Sequence, residues 1–176
     1  MIRKIIAPVN QAITHIQDWA DEKLRHLCGR MTPEIRLTKT PKLYFTDTGL
    51  ACHLLGIESP EQLARDKMRG ALFENFIVTE ALKRRYNQGK ESNLYFYRDS
   101  NQNEVDLLLK KHSGLYGIEI KSAMTYHADF EKALKQMDGW VKETILGKAV
   151  AYAGTLENTA GEIKLLNYSH LDEVLA

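Results

Sequence analysis

Cysteine is nearly missing from this sequence: Cys28 and Cys52 are the two it has, too few and too ordinarily placed for a disulfide scaffold or a zinc site. A charge imbalance is missing as well. With 24 Lys and Arg against 23 Asp and Glu the formal net charge is +1, so no global basic field announces nucleic acid, and any such surface must be local. No apolar run approaches the length of a bilayer span, and Met1 to Pro8 has a short apolar core without a cleavage-like site. Neither membrane insertion nor secretion is expected, and a reducing, cytoplasmic setting is. There is no internal repeat or low-complexity segment. What is present, in 176 residues, is enough chain to bury one principal core with a small appendage.

Near the start, Val9, Ala12, Ile13, Ile16, Ala20, Leu24 and Leu27 recur at helical spacing between Pro8 and Gly29. Such an apolar stripe needs a cover, from this domain or from another chain. Met31 to Lys42 then shifts to MTPEIRLTKTPK and reads as a connector or short strand pair. Arg36, Lys39 and Lys42 read there as ordinary solvated cations, with phosphate contact as the alternative. Leu43 to Phe45 is strand-like, Asp47 or Thr48 can cap a short helix ending near Gly56, and Ser59-Pro60 opens another.

Gly70 to Tyr86 is the clearest long helix, with Leu72, Phe73, Phe76, Ile77, Ala81 and Leu82 as its apolar face. Glu74 falls on the margin of that face. By itself it reads as a partner for the helix dipole, and otherwise as a carboxylate aimed into a cleft beside a sheet. Downstream, Ala128 to Val141 predicts one amphipathic helix, Lys148 to Ala153 and Ile163 to Tyr168 predict strands, and Leu171 to Leu175 a helical tail.

The organising stretch is Leu94 to Ser122. Three apolar runs, Leu94 to Arg98, Glu104 to Lys110 and Leu115 to Lys121, are separated by turn-rich breaks at Asp99 to Asn103 and Lys111 to Gly114. They predict three consecutive strands inside a mixed α/β fold, a sheet flanked by helices. Asp106 stands among Val105, Leu107, Leu108 and Leu109, where a carboxylate needs a cation or a metal ion to offset desolvation. Glu119 and Lys121 share one face of the third strand while Ile118 and Ile120 share the other. Pairing of the second and third strands as a hairpin would bring Asp106 beside Glu119, with Lys121 along the same face. A structural ion-pair cluster of Asp106, Glu119 and Lys121 accounts for the same residues without catalysis. Tyr95 and Tyr97, at alternating strand positions, read as core, with stacking on or clamping of nucleic acid by Tyr95, Tyr97 and Arg98 as the alternative.

Glu74 on a helix, Asp106 on a strand and the Glu119-Ile120-Lys121 triplet on the next strand resemble the PD-(D/E)xK nuclease superfamily, whose restriction-endonuclease-like fold is shared with Holliday-junction resolvases. More closely, PKLYFTDTGLACHLLGI, GALFENFIVTEAL, LYFYRDSNQNEVDLLL and GIEIKSA look like the bacterial and archaeal domain of unknown function 4143. The resemblance covers roughly residue 39 to the C-terminus, dividing the chain into residues 1–38, an N-terminal helix and connector, and 39–176, a nuclease-like domain. It implies that Asp106 and Glu119, with the backbone carbonyl of Ile120, hold Mg²⁺ or Mn²⁺. It implies also that Glu74 supports the metal or its water, and that Lys121 orients the attacking water or offsets charge developing on phosphorus.

In that family the domain typically follows an AAA-type ATPase module and a winged-helix-like segment. Here no GxxxxGK[ST] loop is present, because Gly89-Lys90 and Gly147-Lys148 lack the preceding glycine and the following hydroxyl residue. The chain is not expected to hydrolyse ATP. It then resembles a truncated or split relative, with residues 1–38 as a winged-helix remnant of which Arg36 to Phe45 would be the last strand. Two functions of different class follow as expectations. One is a metal-dependent nuclease acting on DNA; the other is a non-catalytic regulatory or interaction module that self-associates or binds an AAA-type ATPase.

Overall fold

The computed structural model describes the backbone of Ile2–Lys4 and residues 42 to 175. The helix predicted between Pro8 and Gly29, the connector up to Pro41, and the winged-helix remnant lie outside the described residues.

Leu94–Arg98 (β2), Glu104–Lys111 (β3) and Gly114–Lys121 (β4) form the three strands predicted from alternation and turn chemistry. They run as an antiparallel meander, with Ile2–Lys4 (β1) against the outer edge of β2. Ile145–Tyr152 (β5) and Ile163–Asn167 (β6) continue the sheet in parallel, giving the order β1-β2-β3-β4-β5-β6. Parallel neighbours need a crossover, and the segment between β4 and β5 supplies one. The first break is tied by Asp99, whose Oδ1 accepts the amides of Asn101 and Asn103.

Among the described residues three helices precede the meander. Thr48–Leu54 (α1) is capped by Asp47, which accepts the Leu50 amide at 3.0 Å, and Gly56 follows it at φ +70°. Pro60–Arg65 (α2) opens with a reciprocal Ser59–Gln62 capping box and Pro60 in the first turn. Arg69–Asn87 (α3) is the long helix, and it lies over one face of the sheet. There Ile77, Val78, Ala81 and Leu82 pack with Leu94, Phe96, Leu107, Leu109, Ile118 and Ile120.

The predicted face of α3 is kept at Leu72, Ile77, Ala81 and Leu82 and is widened in the structure. Asn75, Val78 and Thr79 are buried, whereas Phe76 is exposed. The reason is polar: the Asn75 side chain is needed inside, as shown below. Asp172–Leu175 (α5) is the short C-terminal helix and contributes Val174 to the same layer.

On the opposite face, the single helix predicted over Ala128 to Val141 is broken. It comprises a 3₁₀ turn at Ala128–Glu131, a short α-helix at Lys132–Gln136 (α4), and another 3₁₀ turn at Met137–Gly139. The apolar spacing is nonetheless used: Leu134 and Met137 are fully buried against Leu108, Leu115 and Val150. Tight 3₁₀ ends are common where a short helix must close within one turn. Tyr97 also belongs to this layer, stacked on Trp140 with ring centroids 5.6 Å apart, so its core reading holds. Among the described residues no helix is long and apolar enough to cross a membrane.

Candidate functional site

The backbone ladder between β3 and β4 runs from Lys111–Gly114 to Leu107–Ile118. Beyond it the two strands part, while β4 stays paired to β5 through Glu119, Ile120 and Lys121. Asp106 bridges the opening: its Oδ2 accepts the Ile120 amide at 2.9 Å, replacing a carbonyl of the missing ladder. Asp106 and Glu119 therefore meet at the mouth of the β3–β4 hairpin, as the sequence pattern predicts, with Lys121 Nζ 2.5 Å from Glu119 Oε1.

A register irregularity sets the direction of Asp106. Tyr95 faces Leu108 but Tyr97 faces Val105, so Asp106 and Leu107 together oppose Phe96. This is a bulge on β3, and bulges re-aim side chains. Alternation slips there: Leu107 and Leu109 pack beneath α3, whereas Val105 and Leu108 pack on the α4 side. Asp106 comes within reach of the residues that α3 presents.

Glu74, in the second turn of α3, is the anchor of a network that local sequence did not reveal. Its Oε1 accepts the Tyr44 hydroxyl at 2.7 Å and pairs with Lys42 Nζ at 2.7 Å. The same amine contacts Glu104 and stands 3.7 Å from Asp106 Oδ1. Glu104 in turn forms a two-pronged pair with Arg98, at 2.7 and 2.8 Å. Lys42 is thus no solvated loop cation; its side chain is 12% exposed.

Nor is Leu43 to Phe45 a strand. It lies alongside α3, and the Asn75 side chain takes the place of a neighbouring strand, accepting the Phe45 amide at 2.6 Å and donating to the Phe45 carbonyl at 2.9 Å and to Thr48 Oγ1 at 2.9 Å. Lys42 and Tyr44 point inward while Leu43 and Phe45 are exposed. That inverted alternation, polar side in, was the one local signal available.

Crowding of carboxylates governs the electrostatics. Burial, then the charge of Asp106, pushes the Glu119 carboxyl up to about 8 despite Lys121. Burial and Glu74 likewise raise Asp106, against the pull of Lys42, Lys121 and the Ile120 amide. For Lys42 burial acts downward, but Glu74, Asp106 and Glu104 outweigh it and the amine is raised. Lys121 behaves in the same way, with Glu119 and Asp106 overcoming burial. Burial and Glu74 together hold the Tyr44 hydroxyl protonated.

The donor set suits a hard divalent cation in kind, since Asp106 and Glu119 supply carboxylate oxygens beside one another. One observation favours such a group: Glu119 is 7% exposed and its Oε2, buried, has no hydrogen-bond partner among the described residues. In this conformation, however, no three His, Cys, Asp or Glu side chains among the described residues are arranged to hold a metal ion. Amines stand on the carboxylates instead, Lys42 on the Glu74 side and Lys121 on Glu119.

A family model described as a domain of unknown function, number 4143, matches residues 69–171, more than half of the chain. A second, also a domain of unknown function, number 8612, matches residues 16–61. Uncharacterized proteins of Mycobacterium bovis and Mycobacterium tuberculosis are each 33% identical over 90 residues, covering 51% of this chain and 20% of their own length. The matched part of the chain thus spans about a fifth of those relatives. No solved structure matches it.

Proposed function

The chain belongs to the family of domain of unknown function 4143, and from that premise we propose that it is a metal-dependent nuclease-like domain of the PD-(D/E)xK superfamily, acting on DNA phosphodiester bonds. The observation that carries this reading is the meeting of Asp106, Glu119 and Lys121 at the open end of the β3–β4 hairpin, with a buried Glu119 oxygen that has no hydrogen-bond partner among the described residues. Asp106, Glu119 and the Ile120 carbonyl would hold Mg²⁺ or Mn²⁺. When bound, such an ion polarises a phosphate and lowers the pKa of a coordinated water.

The chain's own residues supply the rest. The Asp106 carboxylate is oriented by the Ile120 amide and Glu119 by its place on β4 between two paired neighbours. Lys121 presents an ammonium where negative charge would grow on phosphorus. Glu74, fixed by Tyr44, flanks Asp106 and would support the metal or its water.

Isothermal titration of Mg²⁺ and Mn²⁺ into the wild type and Asp106→Asn, with DNA cleavage assayed on the same samples, tests the reading. Binding and cleavage are expected in the wild type and neither in the variant, while Lys121→Ala should bind metal yet cleave at least about a hundredfold more slowly. A wild type that binds neither ion, with or without DNA, would overturn it.

A second reading draws on the length of the relatives, of which the matched stretch is one fifth. A domain embedded in larger proteins also fits a regulatory or interaction module for an AAA-type ATPase. Retention of such an ATPase by a metal-blind wild-type chain would favour it.

A further inference from the structure

Lys42 is the cation with most carboxylate partners in the site, and the metal-dependent reading gives it no task. Its amine serves Glu74 from α3, Glu104 from the start of β3 and Asp106 from the bulge. It arrives on a segment held to α3 at two points, through Tyr44 on Glu74 and through Asn75 on the Phe45 backbone. Two of its three partners, Glu74 and Asp106, are the carboxylates that a divalent cation would also recruit. Hard divalent cations take such oxygens at about 2.0–2.6 Å. An ammonium 3.7 Å from Asp106 Oδ1 would then face a doubly charged ion at close range in a poorly hydrated site, where like charges repel strongly. Meanwhile Glu119 Oε2 has no hydrogen-bond partner among the described residues, Lys121 being held on Oε1.

We infer that Lys42 is a built-in counter-ion of the acidic cluster, a tethered competitor that a divalent cation must displace from Asp106 and Glu74. This rests on the metal-dependent reading above and adds to it a regulator of metal affinity. The retreat is short, because Glu104, itself held by Arg98, keeps the amine at the rim of the site. Loading with metal then rearranges the pairing around Glu74 without requiring the Lys42 segment to unfold.

The test is titration of Mn²⁺ into the full chain carrying Lys42→Met, beside the wild type, with a thermal melt to establish folding. Dissociation constants at least about tenfold lower in the variant are expected, since one opposing charge is removed. Equal or weaker binding by the folded variant, with normal binding by the wild type, would overturn the role of Lys42 and leave the metal site standing. Binding by neither would take down both. A measurement on the unaltered protein runs in parallel. Acylation of amines, mapped by mass spectrometry, should find Lys42 protected without metal and reactive at saturating Mn²⁺; protection unchanged by a bound ion would overturn the displacement.

Discussion

At the scale of single residues, Glu119 carries the sharpest pH dependence. Its folded carboxyl is raised from 4.5 to about 8, by burial first and by Asp106 second. A folded-state pKa above the unfolded one means that the protonated group favours folding below about pH 4.5, and that the contribution is lost as pH rises through 8. The full shift corresponds to something of order 3–5 kcal/mol. The raised Asp106 adds in the same direction. Glu104 has the opposite sign: although burial opposes it, Lys42 and Arg98 hold its pKa down, so its contribution is lost only in acid. Metal-free protein should therefore lose stability from pH 5 to 8, and Glu119→Gln should lose clearly less; parallel urea unfolding across that range decides it, and equal slopes would contradict the buried, crowded Glu119. Among the site residues, Asp106, Glu119 and Lys121 were legible because neighbouring strands of a meander bring them together. Lys42 was not, for its partner Glu74 lies 32 positions away and no local periodicity connects them.

At the scale of elements, the bulge on β3 shapes the site, and a close side-chain contact fixes how β4 and β5 pair. Gly147 lies opposite Tyr116 in the parallel ladder, and the ring covers it so closely that a Cβ there would come within 2.4 Å of the ring carbon Cε2. The ring is rigid and cannot yield by a rotamer of its far end. Gly147→Ala should cost about 1–3 kcal/mol, read as a melting temperature lower by several degrees; an unchanged melt would mean that the ring does not lie across the glycine. Strands and turns were readable because a period of two and a cluster of turn residues are local properties. The broken crossover helix was not. Its apolar positions have helical spacing, but how much chain remains helical depends on how the turns fit the sheet beneath Leu134 and Met137.

At the scale of the whole molecule, a metal held at the β3–β4 mouth would tie α3, β3 and β4 together and should stabilise all of them. Mn²⁺ at a hundred times its dissociation constant adds about 2.7 kcal/mol, a rise of about 5–10 °C for a chain of this size. Chelation should reverse the rise and Asp106→Asn should abolish it; differential scanning calorimetry that finds no shift would speak against a folded-state metal site. The chain belongs to the family, and the stretch matched in the mycobacterial relatives is about a fifth of their own length.

The sequence by itself determined the β2–β3–β4 meander, the long helix α3 and the meeting of Asp106 with Glu119 and Lys121, because alternation, turn chemistry and hairpin pairing act between near neighbours. Only the tertiary structure decided that Lys42 and Tyr44 point inward onto Glu74, that Asn75 serves the Phe45 backbone, and that a bulge swings Asp106 toward them. Those outcomes depend on which segment packs across α3, and buried polar groups accept whatever partners that packing supplies, since leaving them unpaired costs more than local propensity can return.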